Sequence, residues 1–317
     1  MALDQLSSST YRNLIPVLVD NVFRGNPLMV LLIRKTVKVD GGTTFTQPIR
    51  PTRGPTGSSY QGADVLNLVF DNNIIGAEWN WAQYGRLLGV TGFDELRNSG
   101  PRAILNTIKI NLEAMEMELR EDMGTDLYLD GTANANKAFT GLAAAVDDGT
   151  NVVTYGNVSR TNYPNWKATL SANGGVGRAL TLKLLNTNFD NVSKGSDRPT
   201  LIMVTHGIWQ KYLELLQPFV RLGDQQAANM GFQNVMFLGR PMIVDEAIPT
   251  TGGLHKAYLL NMKYFTFYTS VGRSFLFVPF QQLPLQDAAV AKVLWAGQLI
   301  CSSPRMQCGI VDVDVSL

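Results

Sequence analysis

The chain has 317 residues, a formal net charge of +1, 45% hydrophobic residues and only 17% charged ones. A charge so close to zero supplies no long-range field for holding a phosphate backbone, which argues against a dedicated nucleic-acid-binding protein. The charged share lies below the roughly 25% of an ordinary soluble domain, so part of the surface is expected to be covered by other protein.

The longest strongly apolar run, Leu28 to Ile33, is far shorter than the roughly 20 residues of a membrane span. The opening, MALDQLSSSTYRN, lacks the basic and apolar regions of a signal peptide, and a cytoplasmic protein is expected. Within 1–35, Pro16, Gly25 and Pro27 interrupt the apolar stretches too often for one long helix. An extended arm with one or two short helices is predicted there.

From Thr36 the pattern turns to strand. TVKVDGGTTFTQPI and DVLNLVFDNNIIGAEWNW are rich in β-branched and aromatic residues, and RPTRGPTGSSYQG between them is a turn-forming tract of Gly, Pro, Ser and Thr. Residues 36–80 therefore read as one long β-hairpin with a polar tip. Trp79, Trp81 and Tyr84 at its root are expected to be packing anchors rather than a stacking platform for bases.

The clearest helix follows. Ser99, Gly100 and Pro101 form a start signal, and Ile104, Ile108, Leu112, Met115, Leu119, Met123 and Leu127 recur at helical spacing before Gly131. A helix over about 101–130 would be roughly 45 Å long. Gly124 is expected to weaken it. Its other side carries Glu113, Glu116, Glu118, Glu121 and Asp122, which spread over more than one face and read as a solvated surface rather than a metal site.

After a Gly-, Asn- and Asp-rich stretch at 131–157, helices and strands alternate. ALTLKLLNTNFDNVSKG and GIWQKYLELLQPF are amphipathic, PTLIMVTH is a buried strand, and strands dominate from 235 onward. His206 sits at a helix start, where capping or packing is expected, and His255 follows a Gly-Gly pair in what reads as a surface turn. Cys301 and Cys308 can build neither a disulfide framework nor a four-ligand zinc site, and are expected to be packed free thiols. NGGVGRALTLK lacks the Gly-Lys-Ser/Thr end of a phosphate loop.

This order of elements resembles the major capsid proteins of tailed bacteriophages, whose fold encapsulin shells share. LGRPMIVDEAIPTTGGLHKAYLLNMKYFTFYTS and AAVAKVLWAGQLICSSPRMQCGIVDV are similar to that family's late strands. The resemblance implies an α+β fold with an N-terminal arm (1–35), an extended hairpin loop (36–80) and a peripheral domain with its spine helix (81–157). An axial domain (158–269) and long strands returning through both domains (270–317) complete it. It implies no enzyme, cofactor or metal.

The function it implies is self-assembly through pentamers and hexamers into an icosahedral shell around a double-stranded DNA genome, with assembly in the host cytoplasm. An encapsulin-like compartment or another phage structural protein, such as a tail component, are the alternatives. Partners implied are a separate scaffolding protein, a portal protein, a decoration protein and packaged DNA held without sequence-specific contacts. Covalent crosslinking is not expected, because Lys35 and Lys38 lie near the hairpin base and its tip has no lysine. Arg34, Lys35, Lys38, Arg50 and Arg53 outnumber the acids Asp40 and Asp64 around the hairpin. In a shell they are expected to face Glu113, Glu116, Glu121 and Asp122 on a neighbouring subunit.

Overall fold

The computed structural model describes residues 26–52, 59–64, 73–93, 107–220, 235–284 and 286–317. The described residues within Gly85–Leu119 and Phe275–Leu294 form a smaller unit, and those within Arg24–Tyr84, Arg120–Ser274 and Trp295–Leu317 a larger one. This division cuts across the expected segment 81–157.

In the larger unit, helix α1 (Pro27–Arg34) is capped by Asn26, whose Oδ1 accepts from the Met29 N–H at 2.9 Å. Strand β1 (Thr36–Val39) then pairs in parallel with β13 (Phe265–Ser270). The hairpin is therefore shorter than the one read from sequence. It consists of β2 (Thr44–Ile49) and β3 (Ile75–Asn80), antiparallel with Phe45 opposite Trp79. Gly41 and Gly42, both at positive φ, release the chain from β1, which follows β13 instead. The expected tip residues 53–58 and the strand start 65–72 lie outside the described residues.

The hairpin's alternation buries Phe45, Ile49, Ala77 and Trp79 on one face. Trp79 stands over the turn between two short strands, β5 (Thr154–Tyr155) and β6 (Val158–Ser159). That turn has both central residues left-handed, Gly156 at φ 58° and Asn157 at φ 57°, and Gly156 has no room for a side chain under the indole. The Glu78 N–H donates to the Gly156 carbonyl at 2.9 Å, and Phe45 packs 4.2 Å from Trp81. All three aromatics at the root are packing residues.

Underneath lies a fully buried ion pair. Arg160, 0% exposed, has its Nη1 3.7 Å from Asp147 and donates to the carbonyls of Val152, Ala144, Ala145 and Trp166. Asp147 in turn accepts from the backbone of Gly149 and Val152 and from the Asn151 amide. Burial lowers the Arg160 pKa, and Asp147 beside it offsets only part of that.

A seven-stranded mixed sheet forms the other part of the larger unit. Its path is β10 (Met236–Phe237), β11 (Arg240–Val244), β9 (Leu201–Val204), β12 (His255–Leu260), β16 (Cys308–Asp314) and β7 (Thr169–Ser171), with β8 (Arg178–Ala179) also on β16. All of β9 is buried, as its unbroken apolar run requires. Helices α3 (Leu182–Val192) and α4 (His206–Val220) contribute Leu185, Phe189, Ile208 and Tyr212 to the core against this sheet. A second cluster stacks Phe267 on Trp295 at 5.1 Å, with Phe139 edge-on to both.

The long helix α2 covers Thr107–Asp126, and residues 94–106 of the expected range lie outside the described residues. It ends before the expected residue 130. The chain tightens there, with Tyr128 donating to Thr125 and Leu129 to Asp126, while the Tyr128 hydroxyl is drawn to the buried Asp245 at 2.7 Å. Gly124 has a packing reason: a Cβ there would lie 2.5 Å from Asn26 Nδ2. In the smaller unit, the later part of β4 (Ala82–Thr91), β14 (Leu276–Gln282) and the first half of β15 (Ala288–Cys301) carry the strands, with β14 and β15 antiparallel.

Two stability predictions arise. Gly124→Ala gains helix propensity, yet it should destabilise the subunit by about 1–2 kcal/mol, because the new methyl displaces the α1 cap. Denaturant unfolding checks this, and a smaller loss in an Asn26→Ala background would identify the contact as the cause. Arg160→Met strands Asp147 in the interior and should cost about 3–5 kcal/mol in the same assay.

Candidate functional site

The basic residues singled out in the sequence divide between two structural contexts. Arg34 closes α1, Lys35 follows it and donates to the Met262 carbonyl at 3.0 Å, and Lys38 is exposed on β1. These three sit on the body, because β1 leaves the hairpin. Arg50 is exposed at the end of β2. Arg53 lies outside the described residues, as do the side chains of Glu113 and Glu116. Asp122 is exposed and Glu121 half-buried on α2, and Glu118 is hydrogen-bonded to Arg86 within the smaller unit.

The histidines and cysteines singled out in the sequence make contacts within the subunit. His206 is exposed and stacked on Trp209 at a 17° interplanar angle. His255 is not in a turn but opens β12, where its Nδ1 lies 2.9 Å from the Thr205 hydroxyl and its ring covers Gly207. Cys301 and Cys308 are buried free thiols, pushed up to about 12 by desolvation, so the reactive thiolate is scarce at neutral pH. Burial likewise raises Asp245 and its partner Tyr128. The glycine loop after β7 cradles a carboxylate of its own chain: Asp312 accepts from the backbone N–H of Asn173 at 2.8 Å and Gly175 at 3.0 Å. Among the described residues, no three His, Cys, Asp or Glu side chains converge to hold a metal ion.

The smaller unit offers exposed contact area. On β4 the exposed alternation Gln83, Gly85, Leu87, Gly89, Thr91 leaves Leu87 73% exposed, and Leu276, Phe277 and Phe93 of the same smaller unit are also exposed. Scattered apolar residues are ordinary on a protein surface, but several on one small unit suit a surface that meets protein. The sequence pattern carried this signal in the Gly-x-Leu-x-Gly alternation, which reads as strand without telling which face is covered.

The larger unit also contains a groove at the hairpin foot, of about 720 Å³, lined by Gln47, Arg50, Asn165, Ser302, Ser303 and Arg305 among others. No Asp or Glu lines it. Arg305, absent from the sequence-derived candidates, follows Ser-Ser-Pro in a single 3₁₀ turn, Pro304–Met306. Arg50 precedes Pro51 just past the end of β2, and only folding brings the two segments to one groove.

No family model matches the chain, and no curated protein matches it in sequence. Solved structures do. The capsid asymmetric unit of cyanophage A-1(L) is 17% identical, with 97% of this chain and 98% of that chain covered at a TM-score of 0.76. The SrpI encapsulin of Synechococcus elongatus PCC 7942 is 14% identical over 100% of this chain and 98% of its own, at 0.63. The capsid of Myoviridae phage XM1 is 10% identical over 95% and 97%, at 0.60. At such identities the likeness is one of backbone, and it spans nearly the whole of each chain: this protein has the α+β fold of phage capsid and encapsulin shell proteins.

Proposed function

We propose that the chain is a major capsid protein that assembles through pentamers and hexamers into an icosahedral shell around a double-stranded DNA genome. The observation that carries this reading is the end-to-end match to the cyanophage A-1(L) capsid at a TM-score of 0.76, against 0.63 for the encapsulin. The exposed apolar residues and the low charged share support it, since both suit a subunit whose surface is closed by copies of itself. A near-neutral chain also suits a container that holds DNA without adhering to it. Separate scaffolding, portal and decoration proteins are the further partners this role brings, and the virion is its location.

An encapsulin-like compartment is the second reading, favoured by the full-length match to SrpI. The contents separate the two. Electron microscopy of particles purified from cells co-expressing the accompanying structural genes should show closed shells of uniform diameter holding nuclease-protected DNA. Shells holding a protein cargo instead would select the compartment. A stable monomer at high concentration would rule out both.

At the subunit contact, Arg34, Lys35, Lys38, Arg50 and Arg53 are proposed to face Glu113, Glu116, Glu121 and Asp122 of a neighbour. Each exposed pair contributes only about 0–1 kcal/mol, yet the contact recurs on every subunit of a closed particle. Arg50→Glu with Arg53→Glu should therefore lower particle yield sharply while leaving thermal unfolding of the free subunit unchanged. Normal yield, or an unstable free subunit, would count against this contact.

A further inference from the structure

The groove at the hairpin foot combines features that an ordinary surface depression lacks. Two guanidinium side chains, Arg50 and Arg305, reach it from segments about 250 residues apart in a chain whose net charge is +1. Around them stand the hydroxyls of Ser302 and Ser303 and the amides of Gln47 and Asn165. Ser302 donates to the Tyr264 carbonyl, which holds that wall in place. Arginine's rigid fork of donors matches the two oxygens of a carboxylate better than a lysine would.

Several acids of the larger unit already have internal partners. Asp126 accepts from Tyr84, Asp147 pairs with Arg160, Asp197 with Lys263, Asp245 accepts from Tyr128, and Asp312 holds the glycine loop. The carboxylate of Glu121 and the guanidinium of Arg305 form no ion pair among the described residues. One is on a convex helix next to exposed Asp122, the other in a concave groove.

We propose that this groove is the receptor for the Glu121–Asp122 side of α2 from a second copy of the chain, with Arg305 as its principal anchor beside Arg50. The inference rests on the self-assembly reading and adds to it a built, concave site and a residue that is not on the hairpin. A duplex phosphate backbone is a poorer occupant. Such backbones are bound by many cations spread along a surface, whereas here two face into a pocket of about 720 Å³. An acid entering a groove is also shielded from salt more than an exposed pair.

The test is a charge swap, read as the subunit concentration at which closed particles form under conditions where the wild-type chain assembles. Arg305→Glu should raise that concentration about tenfold or more, and Arg305→Lys, which keeps the charge but loses the fork, by less. Combining Arg305→Glu with Glu121→Arg in one chain should restore most of the loss. Thermal unfolding of each free subunit should match the wild type, because both side chains lie outside the core; Arg305→Gln serves as the neutral variant if the glutamate disturbs the turn. Wild-type assembly with an unaffected Arg305→Glu, or a swap no better than the single variant, overturns this inference and leaves the shell reading standing. Failure of the wild type to form particles under any condition overturns both.

Discussion

A guanidinium with no exposed surface governs the foot of the hairpin. Arg160 makes its hydrogen bonds to four main-chain carbonyls and lies beside a single carboxylate, so the loops around 144–152 and 166 have one arrangement that leaves no buried charge unanswered. That arrangement fixes the Tyr155 turn: the Trp166 indole donates to the Tyr155 carbonyl, and the Tyr155 hydroxyl accepts from the Cys301 N–H at the end of β15. The hairpin then rests on this turn through Trp79 and the Glu78–Gly156 bond. The described part of the hairpin is thereby seated on the body through its buried face.

Two further buried polar groups connect the strands of the larger unit in the same way. The Gln298 carboxamide accepts from Thr140 and Leu299 and donates to the Asn80 carbonyl, joining β15 to the end of the hairpin. Gln307, 0% exposed, exchanges two bonds with the backbone of Asn261, so that the return from β15 into β16 is locked to the turn after β12. Both are amides, which satisfy donor and acceptor needs without the desolvation cost of a charge. These connections hold the strands of the larger unit in register with one another.

Much of the architecture was legible in the residues. The 3.6-residue recurrence through Met115, Leu119, Met123 and Leu127 marks the helix, since those four are all buried on α2 or just past its end. The unbroken run Leu201–Val204 marks a strand covered on both faces, and the isolated cysteines mark packed thiols. Less legible was the fate of β1. Thr36–Val39 alternates as a hairpin strand would, and its parallel pairing with residues more than 200 positions later has no local signal. Gly124 reads as a helix-weakening residue until Asn26 is seen against it.

By itself the sequence determined the kinds of element and their order, the absence of a strong charge field, and the segments rich in apolar surface, because periodicity and composition are local properties. Only the tertiary structure decided which cations share a surface. Arg34, Lys35 and Lys38 separate from Arg50 once β1 joins β13, and Arg305 lines the same groove as Arg50 because the 3₁₀ turn after β15 folds back to the hairpin foot. Charge proximity in a folded chain depends on long-range strand pairing, and no spacing along the sequence encodes it.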